Sequence, residues 1–255
     1  MTEHSDAFLL ARFPVQKRPV HFWHYIILTV HSVGGEEFLC KFATQIYRNV
    51  MIKNIVFDFG GVLVQYDYMT FFMRVMKSED QVKKMLTQAL TQEVSDEMDK
   101  ADHSFRYYID RQEQRYPQYK DVLEYFDSHF VELITGETEG MRELMLELKA
   151  LGYRLLGLSN WSEKVDDVMA KFSIFELLEG WLISKDVHQL KPHADIYESF
   201  CKKFDVKPAD CLFLDDKPVN IEGAKKVGME GIVFKDVPSL RVELERMGIM
   251  NHHCE

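Results

Sequence analysis

Acidic residues stand at the ends of two apolar runs that lie far apart in the chain. Asp58 follows residues 55–57, and the pair Asp215 and Asp216 follows residues 211–214. Short apolar runs of this kind predict buried strands, so each acid is expected at a strand end. Three carboxylates brought together at neutral pH repel one another unless a cation lies between them. Mg²⁺ prefers hard oxygen ligands and often shares its coordination sphere with a substrate phosphate, so the acids predict a magnesium site.

Polar residues of other types follow a third apolar run and occupy a later loop. Ser159 and Asn160 come after residue 158, and Lys191 precedes a proline. Lys191 supplies a compact positive charge that can bind a phosphate or offset the negative charge of a nucleophilic carboxylate. The Ser159 hydroxyl can donate to a phosphoryl oxygen, and Asn160 can orient a substrate. With these groups around it, Asp58 could attack phosphorus and form an aspartyl-phosphate that water later hydrolyses.

Strand-like and helix-like segments alternate through most of the chain after residue 51. Strands are predicted over residues 55–57, 153–158, 181–184, 211–214 and 231–234. Helices are predicted over residues 141–151, 162–172, 194–204 and 219–227. Strands separated by helices of this length form βαβ units with a parallel sheet covered on both faces. The sequence therefore predicts a doubly wound α/β core whose strands bring their carboxyl ends to one edge.

The stretch between the first predicted strand and the later ones has a different pattern. Residues 67–135 contain no strand-like run and carry aromatic and apolar residues at helical spacing, such as Phe71, Phe72 and Val75. Charged residues fill the positions between them, as amphipathic helices require. We therefore predict a small helical module over residues 67–135, inserted into an α/β core formed by residues 51–66 and 136–255.

Taken together, these segments resemble the motifs of the haloacid dehalogenase (HAD) superfamily. Four motifs occur in order: Asp-Phe-Gly-Gly-Val-Leu at 58–63, Leu-Ser-Asn at 158–160, Lys-Pro at 191–192, and Leu-Asp-Asp at 214–216 with Asn-Ile-Glu-Gly-Ala at 220–224. The resemblance extends from residue 51 to about residue 240. It is closest to a capped subgroup that includes a bacterial α-D-glucose-1-phosphate phosphatase. It implies a Rossmann-like core and identifies residues 67–135 as a helical cap over the substrate.

The resemblance also implies roles for the polar residues. Asp58 is expected to be the nucleophile and a Mg²⁺ ligand. The backbone carbonyl of Gly60 and the carboxylate of Asp216 are expected to be further ligands, and Asp215 either another ligand or an acid beside them. The remaining catalytic candidates are Ser159, Asn160 and Lys191. The expected reaction is Mg²⁺-dependent hydrolysis of a small phosphorylated metabolite, with a sugar phosphate as the favoured substrate.

One position departs from the pattern of most phosphatases in this superfamily. They carry an aspartate two residues after the nucleophile, and it protonates the leaving group. Here that position is Gly60, as in the glucose-1-phosphate subgroup, so hydrolysis is still expected. General acid–base catalysis typically contributes about 10²–10⁴-fold, so we expect slow turnover or leaving groups that need little protonation. Asp67 and residues of the helical cap are candidates for a replacement acid, and the sequence does not choose among them.

Two other functions fit parts of the pattern. A 2-haloacid dehalogenase uses the same aspartate to attack carbon without a metal, and residues 158–160 suit it. Asp215 and Asp216 do not, because two uncompensated carboxylates beside an anionic substrate are electrostatically unfavourable. The glycine at position 60 also fits a catalytically weak protein that binds a phosphorylated ligand.

Composition narrows the range of partners. The chain of 255 residues has a formal net charge of −10 and no run rich in lysine and arginine. Nucleic-acid binding is disfavoured, because phosphate neutralisation needs a basic face. The apolar run at residues 21–30 is too short to span a membrane, which needs roughly 20 apolar residues. We therefore expect no nucleic-acid or membrane partner.

The cysteines and the first fifty residues lead to further expectations. The four cysteines show no pairing or metal-site spacing, which favours free thiols in a reducing cytoplasm. Met51 immediately precedes the first predicted strand. We expect a cytoplasmic monomer or small homo-oligomer in which the domain begins at Met51 and residues 1–50 are an extension that folding does not need.

Overall fold

The computed structural model describes residues 52–250. In this part of the chain the strands are β1 (Asn54–Phe57), β2 (Val64–Tyr66), β3 (Ile134–Glu137), β4 (Arg154–Ser159), β5 (Gly180–Ile183), β6 (Cys211–Asp215) and β7 (Glu230–Val233). Five of them form one parallel sheet in the order β5-β4-β1-β6-β7, and β2 pairs with β3 in a separate antiparallel ribbon. The first strand in sequence is thus central in the sheet.

Helices connect the strands of the sheet and fill the segment between the two ribbon strands. In chain order they are α1 (Tyr68–Met73), α2 (Glu79–Gln88), α3 (Gln92–Lys100), α4 (Phe105–Arg115), α5 (Lys120–Ser128), α6 (Met141–Ala150), α7 (Val165–Lys171), α8 (Ser184–Val187), α9 (Ala194–Phe204), α10 (Pro218–Lys226) and α11 (Val237–Arg246). The parallel sheet with helices between its strands confirms the predicted α/β fold.

Register aligns the carboxyl ends of the three central strands. Phe57, the last residue of β1, lies opposite Gly157 of β4 and Leu214 of β6. The amide of Asp58 continues the pairing by donating to the carbonyl oxygen of Leu214, with 2.9 Å between nitrogen and oxygen. The residue that follows β1 therefore lies beside the end of β6, at the edge where open α/β sheets bind ligands.

Both faces of the sheet are buried, and alternate residues of each strand pack into different apolar clusters. Ile55 and Phe57 of β1 belong to the larger cluster, and Val56 belongs to the smaller one. Leu212 and Phe213 of β6 divide in the same way. Successive strand residues point to opposite faces, so a strand covered by helices on both sides must be apolar throughout.

The segment between β2 and β3, residues 67–133, contains α1 to α5, and we call it the helical insert. Its two ends leave the core side by side through the ribbon, where Val64 lies opposite Glu137. The ribbon was not predicted, and β3 begins at Ile134, inside the stretch expected to contain no strand. The division of the chain into a cap of residues 67–135 and a core stays a prediction.

Most predicted element boundaries shift by one to three residues. The helix expected from residue 162 begins at Val165, and Ser159 is the last residue of β4 instead of the residue after it. Among residues 52–250, no helix combines the length and apolar character needed to cross a membrane. The predicted extension of residues 1–50 lies outside the described residues. Cys201 and Cys211 are free thiols, as expected.

Candidate active site

The three predicted acids lie together at the carboxyl edge of the sheet. Asp58 directly follows β1, Asp215 is the last residue of β6, and Asp216 comes next. One carboxylate oxygen of each lies within 4.8 Å of an oxygen from each of the other two. Asp58 and Asp215 are buried, and Asp216 is half-buried. The parallel register of β1 and β6 thus joins acids from distant parts of the sequence.

The ammonium group of Lys191 lies between two of these acids. Its Nζ is 2.9 Å from Oδ1 of Asp58 and 2.7 Å from Oδ2 of Asp215. It also donates to the carbonyl oxygen of Leu158 at 3.1 Å. The Lys191 side chain is 1% exposed, so these partners provide the pairing that a buried charge requires. Lys191 therefore ties the ends of the three central strands together.

Asn160 fixes the loop that carries this lysine. Its Nδ2 donates to the carbonyl oxygen of Lys191 at 3.0 Å, and its Oδ1 accepts from the Lys191 amide at 2.9 Å. The loop is thereby held against the end of β4. The structure brings all four predicted catalytic residues together, and it shows Asn160 positioning Lys191 directly.

The carboxylate of Asp58 is held in one orientation by donors that converge on its Oδ1. They are the Phe59 amide at 2.7 Å, the Ser159 hydroxyl at 2.6 Å and the Lys191 ammonium at 2.9 Å. The other oxygen, Oδ2, accepts none of these three bonds. A fixed carboxylate with one oxygen outside this set is suited to a reaction at that oxygen.

Burial and neighbouring charges oppose each other in this cluster. Burial raises the pKa of Asp58 to about 7, although Lys191 works against it, and the charge of Asp215 adds to the rise. Burial also disfavours the ionised form of Asp215, but Lys191 and other hydrogen-bond donors outweigh it and hold the pKa of Asp215 below its usual value. The two carboxylates together hold the pKa of Lys191 above its usual value despite its burial. Asp215 and Lys191 are thus a stable ion pair beside a more easily protonated Asp58.

The donor set fits Mg²⁺. Three carboxylates lie together and one ammonium group pairs with two of them, which leaves an excess of negative charge that a divalent cation can neutralise. Gly60 lines the same cavity as Asp58 and Asp216, in agreement with its predicted place beside them. Gly61 has a φ of 78°, and a Cβ there would lie 2.9 Å from Oδ2 of Asp216. The absence of a side chain at Gly61 therefore makes room for the third carboxylate.

Asp215 has two further partners, Lys217 and Asn220, to which the sequence analysis assigned no role in the site. The backbone amide of Lys217 donates to its Oδ1 at 2.8 Å. Nδ2 of Asn220 lies 3.0 Å from both of its oxygens. The signal for Asn220 was its place in the fourth motif, which includes residues 220–224. The backbone amide of Lys217 had no signal in the sequence, because every residue except proline carries one.

A cavity of about 580 Å³ opens over these residues. Its floor is formed by the motif residues, including Asp58, Ser159 and Lys191, and its other walls come from the helical insert. The insert contributes apolar and aromatic side chains, namely Tyr68, Leu86, Leu90, Met98, Phe105, Phe126, Phe130 and Leu133, and polar ones, namely Gln92, Ser95, Asp96 and Asp99. A separate hollow of about 700 Å³ between β7 and α11 is lined by none of the predicted site residues.

Comparison with known proteins agrees with this geometry. A model of the family described as haloacid dehalogenase-like hydrolases matches residues 55–234, more than half of the chain. The chain belongs to this family. The matched segment runs from β1 past the end of β7 and contains each predicted site residue. The narrower resemblance to α-D-glucose-1-phosphate phosphatases is not addressed by a family-level match and stays a prediction.

Relatives within this hydrolase family include proteins named for phosphate ester hydrolysis. Glyceraldehyde 3-phosphate phosphatase of Pyrococcus abyssi is 28% identical over 197 residues, which cover 72% of this chain and 82% of that protein. Flavin mononucleotide hydrolase 1 of Arabidopsis thaliana is 29% identical over 111 residues, 44% of this chain and 45% of that protein. A sesquiterpene phosphatase of Aspergillus oryzae is 28% identical over 42% of this chain and 55% of that protein. The last two matches span about half of each relative.

Solved structures of the family share the fold. A HAD family enzyme from Bacteroides thetaiotaomicron superposes with a TM-score of 0.60 at 19% identity, covering 72% of this chain and 94% of that one. The same enzyme crystallised with magnesium and inorganic phosphate gives a TM-score of 0.58. A HAD-like hydrolase from Porphyromonas gingivalis gives 0.60 at 19% identity, covering 76% of this chain and 98% of that one.

Proposed function

We propose that this protein hydrolyses small phosphomonoesters with Mg²⁺ as cofactor and through an aspartyl-phosphate on Asp58. The observation that carries the proposal is the cluster of Asp58, Asp215 and Asp216 with Lys191 between the first two. Its excess negative charge suits a divalent cation, and cation and lysine together suit a phosphate group. The fixed carboxylate of Asp58 supplies a nucleophile beside them.

The proposed reaction has two steps, the formation and the hydrolysis of the aspartyl-phosphate, and the side chains around Asp58 have different roles in them. In the first step, Asp58 attacks phosphorus while the bond from phosphorus to the ester oxygen breaks. Oδ2 suits this attack, because Phe59, Ser159 and Lys191 hold Oδ1. Lys191 also favours the ionised, reactive form of the carboxylate. In the second step, water attacks phosphorus, the bond to Asp58 breaks, and inorganic phosphate leaves.

Asp58, Asp216 and the carbonyl oxygen of Gly60 are the groups proposed to hold the cation. When bound, Mg²⁺ supplies positive charge that offsets the charge of the phosphate oxygens. Both oxygens of Asp215 already accept bonds from Lys191, Asn220 or the backbone. We therefore assign Asp215 to positioning Lys191 and to the charge of the site, instead of to the inner ligand set.

The names of the relatives support this reaction class. The proteins from Pyrococcus abyssi, Arabidopsis thaliana and Aspergillus oryzae are named for hydrolysis of a phosphorylated aldose, a flavin nucleotide and a terpenoid phosphate. The magnesium and phosphate complex of the Bacteroides enzyme supports the cofactor. Because these substrates differ widely, the names support hydrolysis of phosphomonoesters in general and do not favour one substrate.

A sugar phosphate is the substrate that we propose first. The polar face of α3 lines the cavity with Gln92 and Ser95, which can bind hydroxyl groups. The cavity of about 580 Å³ also lies in the range typical of small-molecule sites. The helical insert is proposed to cover the substrate and to exclude water during the first step.

A phosphate-release screen tests the proposal. The purified full chain is assayed with sugar, nucleotide and terpenoid phosphates, with MgCl₂ or with EDTA. We expect release that needs Mg²⁺ and is lost in Asp58→Asn, with trapping of labelled phosphate on the wild-type chain only. Activity toward 2-haloacids that survives EDTA would instead support the dehalogenase function. Absence of release from every ester, with phosphate binding retained, would support the weakly catalytic ligand-binding function.

A further inference from the structure

Gly60 leaves the proposed reaction without a proton donor at the usual place. A Cβ at Gly60 would lie 3.2 Å from Cε1 of Tyr66 and 3.7 Å from Cζ3 of Trp161. Aromatic rings therefore occupy the space into which an acidic side chain at this position would extend. An acid that serves the leaving group must reach the cavity from another element.

Helix α3 of the helical insert presents a polar face to that cavity. Gln92, Ser95, Asp96 and Asp99 all line it, and so does Asp58. Their spacing of three, one and three residues places them on one face of a helix. Gln92 is exposed and the other three are half-buried, so this polar face borders an open cavity in which it can contact a substrate.

Asp99 is the member of this face that is fixed to the catalytic core. The buried hydroxyl of Ser184 donates to the carbonyl oxygen of Asp99 at 2.5 Å and accepts from the amide of Trp161 at 2.9 Å. In the next residue, the Lys100 carbonyl oxygen lies 3.0 Å from Nδ1 of His188. The carboxyl end of α3 is thus held against α8, and Ser184 connects it to Trp161 in the loop that follows Ser159 and Asn160.

The surroundings of Asp99 suit a group that both gives and takes a proton near neutral pH. Burial raises the pKa of Asp99 to about 7, and the charges of Asp96 and Asp58 add to the rise. Lys217 and the backbone of Ser162 act in the opposite direction. The phenol groups of Tyr66 and Tyr68 also lie near Asp99, and burial raises the pKa of both above its usual value.

Asp67, the other acid considered from the sequence, has a different environment. It is the N-cap of α1, where it accepts bonds from the amide and the hydroxyl of Thr70 at 2.9 and 2.6 Å. These bonds hold the pKa of Asp67 below its usual value. Asp67 is also not among the residues that line the cavity. It is therefore poorly placed to protonate a leaving group.

We propose that Asp99 is the general acid and base that replaces the missing side chain at Gly60. The inference rests on the proposed phosphatase function. As the bond between phosphorus and the ester oxygen breaks, Asp99 gives its proton to that oxygen, and the product leaves as an alcohol. As water attacks the aspartyl-phosphate, its proton passes to Asp99, its oxygen bonds to phosphorus, and the bond to Asp58 breaks. Asp99 is then protonated again for the next substrate.

Leaving groups of different basicity test this role. An alkyl or sugar phosphate releases a basic alkoxide that needs a proton, whereas p-nitrophenyl phosphate releases a phenolate that does not. In Asp99→Asn we expect kcat/KM for the alkyl ester to fall by about 10²–10⁴-fold, with a much smaller loss for p-nitrophenyl phosphate. The matched control is Glu97→Gln, on the opposite face of α3. Its amide can still accept a bond from Arg111, its partner in the wild type.

Further measurements separate the possible outcomes. Thermal unfolding and inorganic phosphate binding with Mg²⁺ show whether Asp99→Asn folds and keeps its site. If Asp99→Asn does not fold, the pH dependence of the wild type is measured instead. As the pH rises through the pKa of Asp99, kcat/KM for the alkyl ester should fall more steeply than kcat/KM for p-nitrophenyl phosphate. Equal losses for both esters in Asp99→Asn, or a selective loss in Tyr66→Phe instead, would overturn the assignment. A wild-type chain that releases phosphate from neither ester would contradict the phosphatase function itself.

Discussion

Replacement of Lys191 by methionine gives the sharpest test of how the site is held together. Methionine keeps an unbranched side chain of similar volume that is one heavy atom shorter, so the ammonium group and its hydrogen bonds are removed. Two contacts to carboxylates are lost, at 2.9 Å to Asp58 and 2.7 Å to Asp215, in a position that is 1% exposed. Removing one partner from a buried ion pair costs about 3–5 kcal/mol, because the remaining charge is buried without compensation.

A second lysine offers a matched control at the opposite end of the same sheet. Lys53 pairs with Asp210 at 3.0 Å, but its side chain is 60% exposed. Water screens this pair, so Lys53→Met is expected to cost less than about 1 kcal/mol. Both variants make the same chemical change next to β1 and β6, and they differ in burial.

The assay is urea unfolding of both variants and of the wild type, in EDTA, at pH 5 and pH 8. At pH 8 we expect Lys191→Met to lose about 3–5 kcal/mol, and at pH 5 to lose less. The pKa of Asp58 is about 7 even with Lys191 present, so without the lysine Asp58 takes up a proton at pH 5 and reduces the repulsion. A loss at pH 8 no larger than that of Lys53→Met would refute the conclusion that Lys191 holds the cluster together.

Three further perturbations address the cation and the acid in the cavity. Gly61→Ala should displace Asp216 and lower the Mg²⁺ affinity, measured by calorimetry, by about 10–100-fold. Gly228→Ala is the control and should leave the affinity unchanged, because Gly228 has a similar φ of 93° but an added Cβ would lie 3.7 Å from Cβ of Pro208. MgCl₂ should raise the thermal midpoint of the wild type, since a ligand that binds only the folded state stabilises it, and Asp216→Asn should lose this response. The raised pKa of Asp99 means that the folded chain binds a proton at this residue more tightly than the unfolded chain does. The contribution of Asp99 to stability is therefore full below about pH 4 and declines up to about pH 7. In EDTA, the stability of Asp99→Asn should fall less than that of the wild type over this pH range, and an equal fall in both chains would contradict the prediction.

Strand and motif positions could be predicted because they depend on local patterns. Residues 211–214 form an apolar run that ends in acids, and the observed strand, Cys211–Asp215, differs by one residue. The helix predicted over residues 194–204 is observed as Ala194–Phe204. Since parallel strands place their carboxyl ends at one edge, correct strands were sufficient to predict that Asp58 and Asp215 meet.

Elements without a local signature were missed. The ribbon of β2 and β3 joins strands of three and four residues from the two sides of the helical insert. Neither strand is long or apolar enough to stand out, because each is stabilised by its partner across the sequence and not by its own composition. The terminal helix α11 was likewise not predicted, although Asp236 caps it through the amide of Ser239.

The sequence by itself determined which groups could do chemistry and which edge of the sheet would carry them, because residue type and periodicity are local properties. Only the tertiary structure decided how they interact. It placed the ammonium of Lys191 between Asp58 and Asp215, used Asn160 to hold its loop, and placed the polar face of α3 along the cavity. These outcomes depend on packing between distant segments, and in the sequence a polar helix face that lines a cavity has the same pattern as one that faces bulk solvent.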